Sequence, residues 1–91
     1  MVTGFVLINA EPIRIAALAA ELAELPGIAE VYSVAGDVDL VAVLRVRDHD
    51  DLADVVTKHM VRLEGIVHTQ TLLAFRAYSR SDVEASFSIG Q

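Results

Sequence analysis

The residues with the clearest chemical potential lie in one short predicted turn, residues 35–39, which reads AGDVD. Gly36 permits a tight turn with a positive φ and leaves backbone N–H groups open to a ligand. Asp37 and Asp39 are two residues apart, so in an extended segment both carboxylates can project to one side. A carboxylate beside free amides suits a zwitterion, because the acid can meet an ammonium group and the amides a carboxylate. An ordinary Gly-Asp turn with solvated acids is the alternative interpretation.

Thr69 and Thr71 form a second polar pair, which shares one face of a predicted strand and offers two hydroxyl groups in line. Threonine is common in strands for reasons of packing alone. The pair is therefore a weaker indication of a binding site than the turn.

The three histidines are the candidates for metal binding or general-base catalysis. His49 and His59 differ by about 280° in helical rotation, so they do not share a helix face. His59 falls on an apolar helix stripe and His68 on a predicted strand, and no histidine spacing typical of a metal site occurs. The sequence also lacks a GxSxG elbow and a glycine-rich phosphate loop. We therefore expect no catalytic residue, no metal site and no cofactor.

Composition argues against several further classes of protein. Seven Lys and Arg residues against thirteen Asp and Glu residues give a formal net charge of −6, and the cations are scattered singly, which argues against direct binding to nucleic acid. The absence of cysteine excludes a disulfide scaffold and thiolate zinc sites, and it fits the cytoplasmic location that we expect. No stretch reaches the roughly 20 apolar residues that span a bilayer, so we expect no membrane partner.

Short apolar runs and amphipathic stripes alternate along the 91 residues. A helix opens at Pro12 and ends at Pro26 and Gly27. Asp48 is the predicted N-cap of a second helix, which Gly65 ends. The predicted strands are residues 2–9, 28–35, 38–46 and 66–78.

This order of elements, βαββαβ, predicts an α+β domain of the ferredoxin-like class. Two right-handed crossovers place both helices on one face of a four-stranded antiparallel sheet. We expect one domain over residues 1–78, followed by a C-terminal tail over residues 79–91, which shows neither a helical nor a strand period.

The strands are apolar on both faces, since residues 5–8, 40–44 and 72–75 are each continuously apolar. Helices can cover only one face. If five or six side chains of the other face stood in water, the cost would be about 8–18 kcal/mol, at about 1.5–3 kcal/mol each. This predicts a sheet-to-sheet dimer with two-fold symmetry. The alternative is a strand that is merely more hydrophobic than its position requires.

Three segments resemble the Lrp/AsnC ligand-binding domain, also called the RAM domain. Residues 31–40 (VYSVAGDVDL) are similar to its glycine–aspartate hairpin, residues 25–28 (LPGI) to the end of its first helix, and residues 63–71 (LEGIVHTQT) to the beginning of its last strand. The resemblance covers about residues 2–78. Full-length members of the family also carry a helix-turn-helix, to which no segment of this sequence is similar. The chain therefore resembles the stand-alone form of the family.

The resemblance implies a βαββαβ fold, dimers that form through the sheets, and further assembly into tetramers, octamers or decamers. It also implies an amino-acid effector that binds between dimers, near the hairpin turn and the last strand. By position, the implied pocket residues are Gly36, Asp37, Asp39, Thr69 and Thr71, with Asp39 contacting the ammonium group.

The resulting hypothesis is a non-catalytic, homo-oligomeric effector sensor that modulates transcription, alone or with a full-length Lrp/AsnC regulator as partner, and that does not itself bind DNA. Two alternatives stay open. One is a small enzyme of the dimeric α+β barrel kind, with His59 or His68 as its base. The other is an assembly domain without a ligand.

Overall fold

Four strands form one antiparallel sheet in the computed structural model, which describes residues 1–80. Their order across the sheet is β2-β3-β1-β4, so the first and third strands lie in the centre. The strands are β1 (Val2–Ala10), β2 (Ile28–Ser33), β3 (Leu40–Val46) and β4 (Ile66–Leu73). This arrangement confirms the predicted ferredoxin-like βαββαβ fold.

Two helical segments connect the strands. Helix α1 (Ile15–Ala23) follows a 3-10 turn at Pro12–Arg14, where proline lacks the N–H that a first helical turn would leave unpaired. Helix α2 (His49–Asp54) continues as a π turn (Val55–His59) and a 3-10 turn (Met60–Arg62). No helix within residues 1–80 is long and apolar enough to cross a membrane.

The irregular end of α2 departs from the regular helix that the apolar stripe predicts. Val55, Val56 and Thr57 are consecutive β-branched residues, which have low helix propensity. The Thr57 hydroxyl donates a 2.7 Å hydrogen bond to the carbonyl oxygen of Ala53, a contact that bends helices.

Both helices pack on one face of the sheet, as predicted. Leu18 and Leu22 of α1 are fully buried there, and Leu52 of α2 belongs to the same buried cluster. The strands contribute every second side chain, which the pleat directs toward the helices. These strand residues are Val6, Ile8, Ala10, Leu40, Ala42, Leu44 and Val46.

Four predicted strand ends were wrong, and the smallest error is at β1, which ends at Ala10 rather than residue 9. β4 ends at Leu73 rather than residue 78, because Leu73 already pairs with Gly4 and little of β1 remains beyond it as a partner. β2 ends at Ser33 and β3 begins at Leu40, so the connection between them is longer than predicted. The predicted tail, residues 79–91, lies outside the described residues apart from its first two.

Asp48 is the N-cap of α2, as predicted. Its backbone is extended, and its Oδ1 atom accepts a 2.8 Å hydrogen bond from the N–H of Asp51. The Asp48→Ala variant should therefore lower the free energy of unfolding by about 1 kcal/mol. Urea denaturation at fixed protein concentration measures this, with Asp50→Ala as the control that removes a first-turn acid without a cap bond. Equal losses in the two variants would contradict the assignment.

Candidate functional site

The turn between β2 and β3 spans six residues, 34–39. Its ends are joined by a 3.0 Å hydrogen bond from the N–H of Val34 to the carbonyl oxygen of Asp39. Gly36 has a φ of +136°, which side-chain-bearing residues rarely adopt, and a Cβ atom added there would meet nothing within 4 Å. The glycine is therefore required by the backbone conformation and leaves the outside of the turn open.

Three hydrogen bonds tether this turn to the end of β1. The N–H of Asp39 donates to the carbonyl oxygen of Ile8 at 2.9 Å, and the Asp39 Oδ2 atom accepts from the N–H of Ala10 at 2.8 Å. The Asn9 side-chain amide donates to the carbonyl oxygen of Asp37 at 2.7 Å. The half-buried Asp39 carboxylate is thus held in one orientation, whereas Asp37 is exposed.

Asn9 is a residue of this turn region that the sequence interpretation missed. It lies at the end of an otherwise apolar strand, and a polar side chain in that position was the available signal. Its partner is 28 residues away in sequence, so local spacing could not identify the contact.

Thr69 and Thr71 lie on the other side of β1 from the turn. They pair across the strands with Ile8 and Val6, two fully buried residues, so both threonines belong to the helix-covered face. Two strand spacings, about 10 Å, separate β4 from β3. Within one chain, the structure brings Gly36, Asp37 and Asp39 together in one turn but leaves the two threonines apart from them.

Thr69 borders a cavity of about 250 Å³ between β4 and the irregular end of α2. Its other lining side chains are all apolar, so Thr69 supplies the only side-chain hydroxyl in this lining. The apolar lining residues are Val56, Met60, Val61, Leu63 and Ile66.

The face of the sheet opposite the helices, which we call the free face, has an apolar centre. Val43 is only 5% exposed, because Phe5 and Glu30 flank it across the neighbouring strands. The remaining apolar residues of this face stay partly exposed, and Leu72 is 43% exposed. The apolar centre comprises Phe5, Leu7, Val41, Val43 and Leu72.

Polar residues flank this apolar centre at the β2 edge. The Tyr32 hydroxyl donates a short hydrogen bond to Glu30 Oε2, and Arg45 Nη1 lies 3.4 Å from Glu30 Oε1. The bond from Tyr32, with a smaller contribution from Arg45, lowers the pKa of Glu30 below its ordinary value of 4.5. The same bond and the charge of Glu30 raise the pKa of Tyr32.

Replacing Tyr32 with phenylalanine should therefore raise the pKa of Glu30 toward its ordinary value. Because the pKa of Glu30 is lowered in the folded state, its stabilising contribution exists above the unfolded pKa and disappears as the pH falls through the folded one. Carboxyl NMR titration measures the pKa directly. Arg45→Gln should produce a smaller rise, and an unchanged pKa in the Tyr32→Phe variant would contradict the assignment.

The histidines do not converge on one site. His68 pairs with Asn9 on the free face, whereas His59 lies on the helix side and borders a cleft beside Gly27. Within residues 1–80, no group of three His, Cys, Asp or Glu side chains is close enough to hold a metal ion.

A sequence model of the Lrp/AsnC ligand binding domain matches residues 3–84 of this chain. The chain belongs to this family. The three motifs at residues 25–28, 31–40 and 63–71 all lie within the matched range, so the predicted membership is confirmed.

One solved structure and one curated transcriptional regulator are similar to this chain. The crystal structure of TTHA0845 from Thermus thermophilus is 55% identical with a TM-score of 0.83, and the match covers 88% of this chain and all of that one. The HTH-type transcriptional regulator PF0250 of Pyrococcus furiosus is 29% identical over 76 residues, which cover 80% of this chain and 51% of the regulator. The chain therefore spans about half the length of the curated HTH-type regulators that it matches.

A third relative shares the fold alone. The crystal structure of transcriptional regulator NMB0573 from Neisseria meningitidis, a complex with L-Met, has a TM-score of 0.77 at 12% identity. The match covers 87% of this chain and 53% of that regulator.

Proposed function

We propose that this Lrp/AsnC domain is an oligomeric sensor that binds a small molecule, an amino acid, between dimers and modulates a transcription regulator. The observation that carries the proposal is the free face, whose apolar centre no helix covers within residues 1–80. The turn around Gly36 stands at one end of this face, beside Asn9. An oligomer that buries the free face would therefore leave the turn exposed at the end of the buried contact.

A second copy of the chain is the simplest cover for the free face. Phe5, Leu7 and Val41 are half-buried in one chain, and each would lose its remaining water contact against another apolar sheet. An isologous two-fold contact buries every such residue twice, which doubles the hydrophobic gain.

The turn has the groups that an amino-acid main chain needs. Among residues 1–80, no acceptor takes the backbone N–H groups of Gly36 and Asp37, which are therefore available to an effector carboxylate. The second oxygen of Asp39, Oδ1, is likewise available to an ammonium group, because Ala10 engages only Oδ2. Charge-assisted hydrogen bonds of this kind are about twice as strong as neutral ones.

The placement of the threonines favours a pocket shared between dimers. Asp39 and Thr69 lie on opposite sides of β1 in one chain, so a ligand that contacts both residue types needs the turn of one copy and β4 of another. The apolar cavity beside Thr69 suits an effector with an apolar side chain. Ligand binding would then shift the assembly state by its differential affinity for the two states.

The match to a ligand binding domain and to an HTH-type transcriptional regulator supports a regulator rather than an enzyme. His59 and His68 occupy opposite sides of the sheet, so a base at either position would act without the other. The net charge of −6 disfavours phosphate contacts, so contact with DNA would come from a full-length Lrp/AsnC regulator as partner.

Calorimetric titration of the twenty amino acids into the purified protein tests the proposal. L-methionine is the first ligand to try, since the Neisseria meningitidis regulator that shares this fold was solved with L-Met. We expect saturable binding of at least one amino acid, accompanied by a change in mass by light scattering. Absence of heat with all twenty compounds would remove the sensor function and leave the ligand-free assembly domain.

A further inference from the structure

A cavity of about 370 Å³ lies at the end of the sheet opposite the Gly36 turn. Thr3 of β1 and Arg45 of β3, which pair across the two strands, form one side of it. Residues 74–77, which follow β4, form the other side, and the N–H of Ala74 donates a 3.0 Å hydrogen bond to the carbonyl oxygen of Thr3. The volume lies within the range of about 300–1,000 Å³ that is typical of small-molecule sites.

Two arginine side chains line this cavity, and no carboxylate among residues 1–80 does. Arg76 makes no ion pair or side-chain hydrogen bond within residues 1–80. Arg45 contacts Glu30 only through Nη1, at 3.4 Å, which leaves Nη2 and Nε available. Guanidinium groups bind carboxylates through paired, charge-assisted hydrogen bonds. The lining therefore favours an anion, although the chain as a whole has a formal net charge of −6.

Aromatic rings supply the apolar part of the lining. Phe5 is half-buried on the free face, and Phe75 on the facing segment is 98% exposed. A flat apolar group placed between them would leave water and would shield the Phe75 ring as well. The cavity thus combines two cationic groups with two phenyl rings, a pattern that matches a ligand with an anionic end and an aromatic body.

We propose that this cavity binds a small organic carboxylate with an aromatic body. The carboxylate lies between Arg45 and Arg76, and the ring lies beside Phe5 and Phe75. The lining has no acid that could receive an ammonium group, so a free amino acid is disfavoured here by repulsion from the two guanidinium groups. This is the opposite of the Gly36 turn, where Asp39 provides an acid.

The cavity is separate from the proposed amino-acid site. Thr3 and Asn9, which mark the two ends, are six positions apart along β1, or about 20 Å. One chain supplies every residue that lines the cavity. The inference therefore goes beyond the proposed function and does not depend on it.

Calorimetric titration with 3-phenylpropanoate as the probe tests the inference. 3-Phenylpropan-1-ol has the same ring and chain length without the charge, and L-phenylalanine adds an ammonium group to the same carbon skeleton. We expect saturable binding of 3-phenylpropanoate, at least about 10-fold tighter than that of the alcohol. L-phenylalanine should not displace bound 3-phenylpropanoate, even if it binds at the Gly36 turn.

Arg76→Gln tests the contact with the carboxylate. Because Arg76 has no partner within residues 1–80, the variant should fold normally by circular dichroism. We expect the dissociation constant of 3-phenylpropanoate to rise about 10-fold or more. Arg62→Gln is the matched control, since it removes one exposed arginine that does not line the cavity, and its affinity should be that of the wild-type protein. Arg45→Gln should have a smaller effect than Arg76→Gln, because Glu30 already offsets part of the Arg45 charge.

The chain's own acids are the rival occupant of the cavity. Asp82 and Glu84 follow Arg76 in sequence and lie outside the described residues. The double variant Asp82→Asn, Glu84→Gln should bind 3-phenylpropanoate with wild-type affinity. Binding that occurs only in this variant would show that these acids fill the cavity and would overturn the inference.

Three further results would overturn it. They are the absence of saturable heat with 3-phenylpropanoate at millimolar concentration, equal affinity for the carboxylate and the alcohol, and equal affinity in Arg76→Gln and Arg62→Gln. None of these results would affect the amino-acid site, which is tested separately at Asp39.

Discussion

Replacing Leu72 with glutamate is expected to dissociate the dimer while each chain stays folded. Leu72 lies on the free face and is 43% exposed, so a carboxylate at this position can reach water in the monomer. In the dimer, two leucines would be lost from the contact and two carboxylates would be forced toward an apolar surface. We expect the dimer dissociation constant to rise at least about 100-fold.

The neighbouring residue supplies a matched control. Leu73 is 41% exposed, almost the same as Leu72, but it pairs with Gly4 and therefore faces the helix side. Leu73→Glu should leave the dimer dissociation constant within a few-fold of the wild-type value. Sedimentation velocity over a dilution series measures both variants. Equal effects at the two positions would mean that the dimer does not use the free face.

Replacing Asp39 with asparagine is expected to weaken amino-acid binding about 10- to 100-fold. The substitution keeps an oxygen that can accept the hydrogen bond from the Ala10 N–H, so the turn keeps its tether. It removes the negative charge that the proposal pairs with the effector ammonium group, and hydrogen bonds to charged groups contribute about 1.5–3 kcal/mol. Calorimetry with the amino acid that binds the wild-type protein most tightly measures the loss.

Two comparisons separate binding from folding at this position. Asp50→Asn makes the same change of charge in the first turn of α2 and should leave binding unaffected. Thermal unfolding without ligand should show similar midpoints for Asp39→Asn and the wild-type protein. Wild-type affinity in the Asp39→Asn variant would contradict the ammonium contact.

The fold could be predicted because its signals are local. The spacing of leucines such as Leu18 and Leu22 marked α1, and the cap at Asp48 marked the beginning of α2. The placement of both helices on one face followed from the right-handed crossover rule, which depends little on individual residues. Strand ends were less accurate, because β4 stops near the beginning of its partner β1 rather than where its own sequence changes.

The geometry of the candidate site depends on pairing between distant residues, which local spacing does not encode. The sequence predicted that Thr69 and Thr71 share a face, and they do. It did not reveal that this face is the helix-covered one, because the register of β4 against β1 decides which side it is. The same limit hid Asn9, whose contact with the turn exists only once β1 and β3 are paired.

The mass of the ligand-free protein in solution tests the central claim, that a second copy covers the apolar face of the sheet. Multi-angle light scattering during size exclusion, repeated over a hundredfold dilution, measures it directly against a chain mass of 9.8 kDa. We expect the mass of a dimer or of a multiple of dimers, with dissociation only at the lowest concentrations. A folded particle with the mass of one chain at every concentration would contradict the claim.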